Sequence, residues 1–202
     1  EPYRRQRQMC IRDRYDYNSY TAADVERALS HETCSIEDFK AFLSPAAASY
    51  LEQMARKAEE ITKNHFGNTV YIFTPLYIAN YCQNYCIYCG FNCYNNIRRK
   101  KLNFQEIEHE MQVIAKTGME EILLLTGESR KYSDVEYIGE AVKIARKYFK
   151  NIGIEIYPVN VDEYKYLHEC GVDYVTVFQE TYNADKYETC LLYTSPSPRD
   201  RT

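Results

Sequence analysis

Three cysteines in the middle of the chain are close enough in sequence to hold a metal centre. Cys82, Cys86 and Cys89 are spaced C-x3-C-x2-C, and Cys93 follows shortly after them. Thiolates are the usual protein ligands of iron–sulfur clusters, and one short loop can supply several of them. Three protein ligands leave the fourth iron of a cubane open to another molecule, which is a catalytic arrangement. The spacing therefore predicts an iron–sulfur cluster with one open iron.

Three other interpretations of these cysteines compete with the open cluster. A structural zinc site could use Cys93 as a fourth ligand, although such sites typically pair two separated C-x2–4-C knuckles. A ferredoxin-like electron carrier would use C-x2-C-x2-C-x3-C, and the first gap here has three residues instead. Cysteines that are merely buried rarely fall this close together on a loop. The spacing favours the open cluster, and we interpret Cys93 as an ordinary nearby thiol.

Alternating helix and strand patterns surround the cysteines and must position them. Apolar periodicity between capping and glycine signals predicts helices, and runs of branched and aromatic residues predict buried strands. The predicted elements are helices at 35–43 and 44–67, a strand at 70–79, a helix at 103–118, a strand at 121–126, a helix at 133–149, a strand at 153–157, a helix at 162–171 and a strand at 173–179. The predicted N-caps are Ser35, Ser44, Asn103, Ser133 and Asp162. Such strand–helix repeats predict an α/β fold with a parallel sheet and crossover helices.

Polar residues end two of the predicted strands. Thr126-Gly127-Glu128 closes the strand at 121–126, one strand–helix unit after the cysteines, and Gln179-Glu180-Thr181 closes the strand at 173–179. Active sites of α/β barrels gather at the carboxyl ends of the strands. Gln179 or Glu180 can therefore contact a cofactor or substrate. An equally good interpretation is that they satisfy loop amides.

Composition excludes several classes of protein. The chain has 202 residues, a formal net charge of −4 and eight cysteines, with no long uninterrupted apolar run, so neither a disordered tail nor a membrane span is expected. Long helical patterns without a recognisable signal peptide favour a reduced, cytoplasmic compartment over a disulfide scaffold. The basic run at 98–101 is predicted to be a solvated loop.

Both ends of the chain resemble translated sequencing adapter. Residues 4–14 read RRQRQMCIRDR and residues 190–200 read CLLYTSPSPRD. Within them, residues 9–13 (MCIRD) and 190–194 (CLLYT) can be encoded by DNA stretches that are reverse complements, as expected of one adapter read at both ends of an insert. The expected organisation is adapter sequence at 1–14 and 190–202, an N-terminal helical region at 15–69 and an incomplete barrel at 70–189. The alternative is a basic arm and a Ser/Pro-rich tail. Without the basic end the chain is more acidic, which argues against nucleic acid as a partner.

The cysteine pattern resembles the radical S-adenosylmethionine (SAM) superfamily. Its mark is C-x3-C-x-aromatic-C after the first strand of a partial (β/α)6 barrel, matched here by Cys82, Cys86, Tyr88 and Cys89. The resemblance implies a 4Fe-4S cluster whose open iron binds SAM. It also implies that the reduced cluster cleaves SAM to methionine and a 5′-deoxyadenosyl radical, and that Tyr88 packs near the adenine.

The strand end at Thr126, Gly127 and Glu128 resembles the G-G-E element with which that superfamily holds the SAM amino group. This chain has Thr126 where that element has its first glycine. The resemblance then implies N-terminal helices followed by the first four βα units of the barrel. Four strands cannot close a six-strand partial barrel. We therefore expect the 202-residue chain by itself to bind a cluster poorly and not to turn over.

A closer resemblance, to the tyrosine lyases of this superfamily, covers residues from about 44 to 189. The similar segments are FTPLYIANYC (73–82), CIYCGF (86–91), RRKKL (98–102), LLLTGE (123–128) and FQETYN (178–183). Two branches share this plan: the 2-iminoacetate synthases of thiamine thiazole biosynthesis and the maturases that make CO and cyanide for iron–iron hydrogenase. Segments such as IGIEIYPVNVDEY (152–164) look more like the first branch.

That resemblance implies cleavage of the Cα–Cβ bond of L-tyrosine to 2-iminoacetate (dehydroglycine) and p-cresol. A thiazole synthase would be the protein partner that receives the imine. Reduced flavodoxin or ferredoxin would be the electron donor. The barrel would hold tyrosine beside the radical carbon and exclude water, because a primary alkyl radical attacks anything nearby.

Overall fold

Three α-helices form the described N-terminal part of the chain. The computed structural model describes residues 16–177 and 180–181, and the chain divides into two units between Val70 and Tyr71. The first unit contains helices α1 (Ala22–Ser30), α2 (Ile36–Phe42) and α3 (Leu51–Phe66), with 3-10 turns at Tyr17–Ser19 and Pro45–Tyr50. Its small core consists of Val25, Ala28, Ala41 and Ala47.

The structure confirms one predicted cap of this unit and changes the start of the next helix. Ser35 and Asp38 form the predicted capping box of α2. The helix expected to begin at Ser44 opens instead as the 3-10 turn Pro45–Tyr50, and α-helical geometry starts at Leu51. Such turns are common at the N-termini of α-helices, where the first amides have no intrahelical partner.

The second unit is a parallel α/β layer, which confirms the predicted fold class. Its elements are β1 (Phe73–Ala79), α4 (Phe104–Ala115), β2 (Glu121–Thr126), α5 (Val135–Ala145), β3 (Asn151–Glu155), α6 (Val161–Cys170) and β4 (Tyr174–Val175). The strands pair in the order β1-β2-β3-β4, every pair parallel. The strand expected at 173–179 is ladder-paired only at Tyr174–Val175, and residues 178–179 lie outside the described part of the chain.

The two faces of this sheet differ in what they pack against. One face carries the fully buried Ile78, Ile122, Leu124, Ile152 and Ile154, which belong to one core with apolar residues of the helices. The opposite face is set by the strand register, in which Tyr77 of β1 pairs with Leu125 of β2 and Leu125 with Glu155 of β3. Because side chains alternate along a strand, Tyr77, Leu125 and Glu155 stand side by side on the face turned away from that core.

Two predicted helix caps are wrong, each by one or two residues. Asp134, and not Ser133, caps α5 by accepting from the Tyr137 amide, and Asn160, and not Asp162, caps α6. In both places a second residue that is favoured as an N-cap lies within two positions of the expected one. The cap at Asn103 is confirmed. Within the described residues, the helices are all too short or too polar to cross a membrane.

Candidate functional site

The three cysteines lie on the loop that connects β1 to α4, and all three thiols are half-buried. A turn forms between two of them, because the Cys89 amide donates to the Cys86 carbonyl at 3.1 Å. Asparagine side chains hold the same stretch: Asn92 Nδ2 donates to the Cys86 carbonyl at 2.9 Å, and Asn95 Nδ2 to the Cys89 carbonyl at 3.2 Å. The loop is therefore shaped by its own amides without a regular element.

The sulfur atoms of the loop are close enough to influence one another. The pKa of the Cys86 thiol is raised, first by burial and then by the charges of Cys82 and Cys89. Two of the sulfurs also accept backbone hydrogen bonds, from Asn84 N to Cys82 Sγ and from Phe91 N to Cys89 Sγ, each at 3.4 Å. Hydrogen bonds to ligand sulfurs are among the features that tune iron–sulfur clusters.

Three thiols on one short loop, with amide donors to Cys82 and Cys89, fit a cluster held by three thiolates. No group of three or more His, Cys, Asp or Glu side chains in the described residues is arranged around a single metal ion. A cubane does not require that arrangement, since it carries its thiolates on separate iron atoms. Coordination to iron would instead lower the pKa of the Cys86 thiol, because a coordinating thiol is deprotonated.

Arg99 holds this loop together, so the prediction that the basic run at 98–101 is a solvated loop is wrong for this residue. Its Nη1 donates to the carbonyls of Asn80 and Phe91 at 2.7 and 2.8 Å. Its Nη2 donates to the carbonyls of Asn92 and Asn95 at 2.6 and 3.4 Å. One guanidinium thus ties the end of β1 to the segment that follows Cys89. Nothing in the sequence distinguishes Arg99 from its basic neighbours.

The loop after β2 lies directly against the cysteine loop. The Gly127 amide donates to the Ala79 carbonyl at 3.0 Å, and the Gln83 amide donates to the Glu128 carbonyl at 2.9 Å. A Cβ on Gly127 would stand 2.3 Å from the Tyr81 carbonyl oxygen, closer than any side chain allows. Glycine at 127 is therefore what lets the two loops share a backbone interface.

The side chains of this second loop include buried groups with incomplete hydrogen bonding. Asn84 Nδ2 donates to Glu128 Oε2 at 2.7 Å. Thr126 Oγ1, Ser129 Oγ and Asn84 Oδ1 are buried and have no hydrogen-bond partner within the described residues. Buried polar atoms without partners are rare and call for an explanation such as a ligand. Ser133, the expected cap, instead donates to the Ser129 carbonyl at 3.1 Å and so stabilises this loop from within.

Tyr88 of the cysteine loop interacts with Glu180. Tyr88 is 57% exposed, and the pKa of its hydroxyl is raised by burial of that group and by a hydrogen bond with the Glu180 carboxylate. Glu180 has a positive φ of 54°, a conformation that few non-glycine residues adopt. The neighbouring candidate, Gln179, lies outside the described residues.

The structure adds two residues to this group that the sequence analysis did not single out. The pKa of Glu155 is raised by burial and then by the charge of Glu180. The pKa of Tyr77 is raised by burial and then by the charges of Glu155 and Cys89. A glutamate inside the apolar strand GIEIY was the available signal. Its proximity to Tyr77 depends on the strand register, which a single strand's sequence does not contain.

The predicted residues thus fall into two adjoining groups. Cys82, Gly127 and Glu128 belong to the contact between the two loops, with the unpartnered hydroxyl of Thr126 at the end of β2. Cys86, Cys89, Tyr88 and Glu180 form the second group and interact with one another electrostatically. Thiols, carboxylates and aromatic rings at the carboxyl ends of parallel strands can together hold a cluster and a charged organic ligand.

Comparisons with known proteins agree on one family. The sequence model of the radical SAM superfamily matches residues 76–196. The chain is 43% identical over 170 residues to the 2-iminoacetate synthase of Salmonella typhimurium, covering 84% of this chain and 45% of that protein. It is 42% identical over 170 residues to the Escherichia coli 2-iminoacetate synthase, with the same coverage. The chain therefore spans less than half the length of these relatives.

A solved structure gives the same assignment of the fold. The crystal structure of HydG, a maturase of the [FeFe]-hydrogenase, superimposes with a TM-score of 0.78 at 27% sequence identity. The match covers 90% of this chain and 42% of the maturase chain. The similarity thus extends over almost the whole chain and under half of the known structure.

Proposed function

Because this chain belongs to the radical SAM superfamily, we propose that it is part of a tyrosine lyase that cleaves the Cα–Cβ bond of L-tyrosine to 2-iminoacetate and p-cresol. The family membership expected from the cysteine pattern is confirmed, and with it the use of a 4Fe-4S cluster and SAM. When bound, a reduced cluster and SAM together supply the carbon radical that starts the reaction. The substrate and the thiamine role are our proposals.

One structural observation carries the proposed site: the cysteine loop and the Glu128 loop are fastened to each other. The Gly127–Ala79, Gln83–Glu128 and Asn84–Glu128 hydrogen bonds hold the thiols and the Glu128 carboxylate in one assembly. We propose that Cys82, Cys86 and Cys89 hold the cluster. In the same proposal Thr126, Gly127 and Glu128 bind the amino group of SAM, and Tyr88 packs against its adenine.

The face of the sheet that carries Tyr77 and Glu155 suits the substrate side of the reaction. Burial and the negative charge of Glu180 disfavour the ionised form of Glu155. A cation placed between these carboxylates would relieve that repulsion, and both SAM and tyrosine carry an ammonium group. We propose that Glu180, with Gln179 beside it in sequence, contacts SAM or substrate there, and that the surrounding rings exclude water.

The thiamine branch is our first choice because of the sequence identity. At 43%, the identity to a 2-iminoacetate synthase exceeds the 27% to the solved maturase. We therefore propose that the imine is handed to a thiazole synthase, that reduced flavodoxin or ferredoxin donates the electron and that the protein works in the cytoplasm. The structural match favours the second candidate, a lyase of the maturase type that also makes CO and cyanide.

The experiment uses what we call the parent protein, the full-length product of the gene that encodes residues 15–189, which we propose is longer than this chain. The parent protein is reconstituted anaerobically with iron and sulfide and supplied with SAM, a reductant and L-tyrosine. Formation of p-cresol and glyoxylate (from the imine) without CO or cyanide would support the thiamine branch. p-Cresol with CO and cyanide would support the maturase branch. Cleavage of SAM without p-cresol would contradict the proposed substrate.

A further inference from the structure

Asn84 is the one buried side chain of the cysteine loop that reaches the carboxylate of the neighbouring loop. Only 7% of Asn84 is exposed. Its backbone amide donates to Cys82 Sγ at 3.4 Å, and its carbonyl accepts from the Cys93 amide at 2.8 Å. Its side-chain Nδ2 donates to Glu128 Oε2 at 2.7 Å. Asn84 therefore contacts a thiol and a carboxylate that come from different strand ends.

The orientation of the Asn84 amide follows from this contact. If the amide were turned over, Oδ1 would face the Glu128 carboxylate, and two acceptors would repel each other. With Nδ2 on Glu128 Oε2, the second carboxylate oxygen remains available to another donor. The hydrogen bond thus positions one carboxylate oxygen of Glu128 and leaves the other oxygen for a ligand.

The unpaired oxygen of the Asn84 side chain, Oδ1, is evidence for a ligand at this place. Asn84 Oδ1 is buried and has no hydrogen-bond partner in the described part of the chain. Leaving a buried acceptor unpaired costs stability, and a role confined to shaping the loop gives no reason for that cost. An ammonium group brings three donors. Such a group bound on Glu128 could satisfy an acceptor that stands beside the same carboxylate.

We propose that Asn84 is a positioning residue that holds the Glu128 carboxylate in the orientation that binds the ammonium group of SAM. This inference rests on the proposed function, in which Glu128 binds that group. Because Asn84 also donates to Cys82 Sγ, the same residue links the orientation of Glu128 to the thiolate that holds the cluster. Losing the amide should weaken SAM binding even when the cluster is fully assembled.

The test measures SAM binding per assembled cluster in the parent protein. Asn84→Ala and Asn84→Leu are reconstituted, their iron content is determined, and the Kd for SAM is obtained from the change that SAM causes in the electron paramagnetic resonance spectrum of the reduced cluster. Since the lost hydrogen bond involves a charged group, we expect Asn84→Ala to raise this Kd at least about tenfold. Asn84→Leu should raise it to a similar extent, because leucine keeps about the size of the side chain and lacks the donor.

Asn92 provides the matched control. It is also buried, at 8% exposure, and holds the same loop through Nδ2 on the Cys86 carbonyl at 2.9 Å. Asn92→Ala should lower the iron content while leaving the Kd per cluster unchanged. If Asn84 only shapes the loop, the similarly sized Asn84→Leu should bind SAM better than Asn84→Ala, and that order would overturn the inference.

Two results separate this inference from the proposed function. If the unsubstituted parent protein assembles a cluster but SAM does not change its spectrum, the proposed function fails and the inference fails with it. If SAM binds the unsubstituted protein and both Asn84 variants equally well, only the inference is wrong.

Discussion

The backbone of Gly127 lies so close to Tyr81 that a Cβ on Gly127 would stand 2.3 Å from the Tyr81 carbonyl oxygen. Two loops that follow different strands therefore meet backbone to backbone. The interface joins the cysteine loop to the Glu128 loop, and the proposed roles of Gly127 and Glu128 beside the cluster depend on it.

Replacing Gly127 should separate these loops. In Gly127→Ala the new methyl group must displace the Tyr81 backbone, at a cost of about 1–3 kcal/mol for overpacking. We expect a lower melting temperature for the metal-free parent protein. Gly90→Ala is the control, because a Cβ there has no atom within 4 Å. Equal melting temperatures for the two variants would contradict the close contact.

The cysteines make different predictions for an open cluster and for a four-thiolate site. Alanine at Cys82, Cys86 or Cys89 should abolish the iron and sulfide content of the reconstituted parent protein, since three ligands are the minimum here. Cys93→Ala should retain both, because Cys93 is exposed and is not one of the proposed ligands. Loss of metal in Cys93→Ala, with zinc in the unsubstituted protein, would favour the structural zinc site.

Arg99 should set how firmly the cluster is held. In Arg99→Lys a single ammonium replaces a guanidinium that reaches four carbonyls, and hydrogen bonds from charged donors contribute about 1.5–3 kcal/mol each. We expect iron to be lost to a chelator at least about tenfold faster. The exposed Arg98, changed to lysine, should show the rate of the unsubstituted protein. Equal rates for both variants would restore the interpretation as a solvated loop.

Asp38 should make the N-terminal unit sensitive to acid. Its pKa is held far below the ordinary value, first by the hydrogen bond with His31 at 3.0 Å and then by those from Ser35. A carboxyl whose folded pKa is depressed adds stability above its unfolded pKa of about 4, and that stability disappears as the pH falls towards the folded pKa.

Hydrogen exchange of the α2 amides in the parent protein measures this effect. Protection should fall as the pH drops below about 4, and Asp38→Asn should remove that dependence while lowering protection at neutral pH. Glu32→Gln, at an exposed position of the same unit, should change neither. A variant that keeps the acid response of the unsubstituted protein would show that another carboxyl causes it.

Apolar periodicity and helix caps predicted the architecture because each of these signals lies within a short stretch of sequence. Apolar strands and helix caps at Ser35 and Asn103 give the parallel α/β order of elements. The caps at Ser133 and Asp162 were wrong because a neighbouring residue, Asp134 or Asn160, competes with similar chemistry. Which candidate wins depends on packing, and Ser133 is drawn into the loop after β2 by its bond to the Ser129 carbonyl.

The contacts of the site were less accessible to sequence reasoning. The spacing of Cys82, Cys86 and Cys89 is local and predicted a cluster, but the clamp by Arg99 and the proximity of Tyr77, Glu155 and Glu180 join distant segments. These depend on strand register and on loop conformation. Asn84 lay inside the motif itself, and only its distance to Glu128 shows what it contacts.

The most direct test of the central claim asks whether SAM binds the cluster that the three cysteines hold. The parent protein would be reconstituted, reduced and mixed with SAM labelled at its amino nitrogen and carboxylate oxygens, and the couplings of these nuclei to the cluster would be measured by electron–nuclear double resonance. We predict couplings from both groups, which require an open iron. A fully assembled cluster without either coupling would mean that the cluster has no open iron for SAM. That result would contradict the account and favour a ferredoxin-like electron carrier.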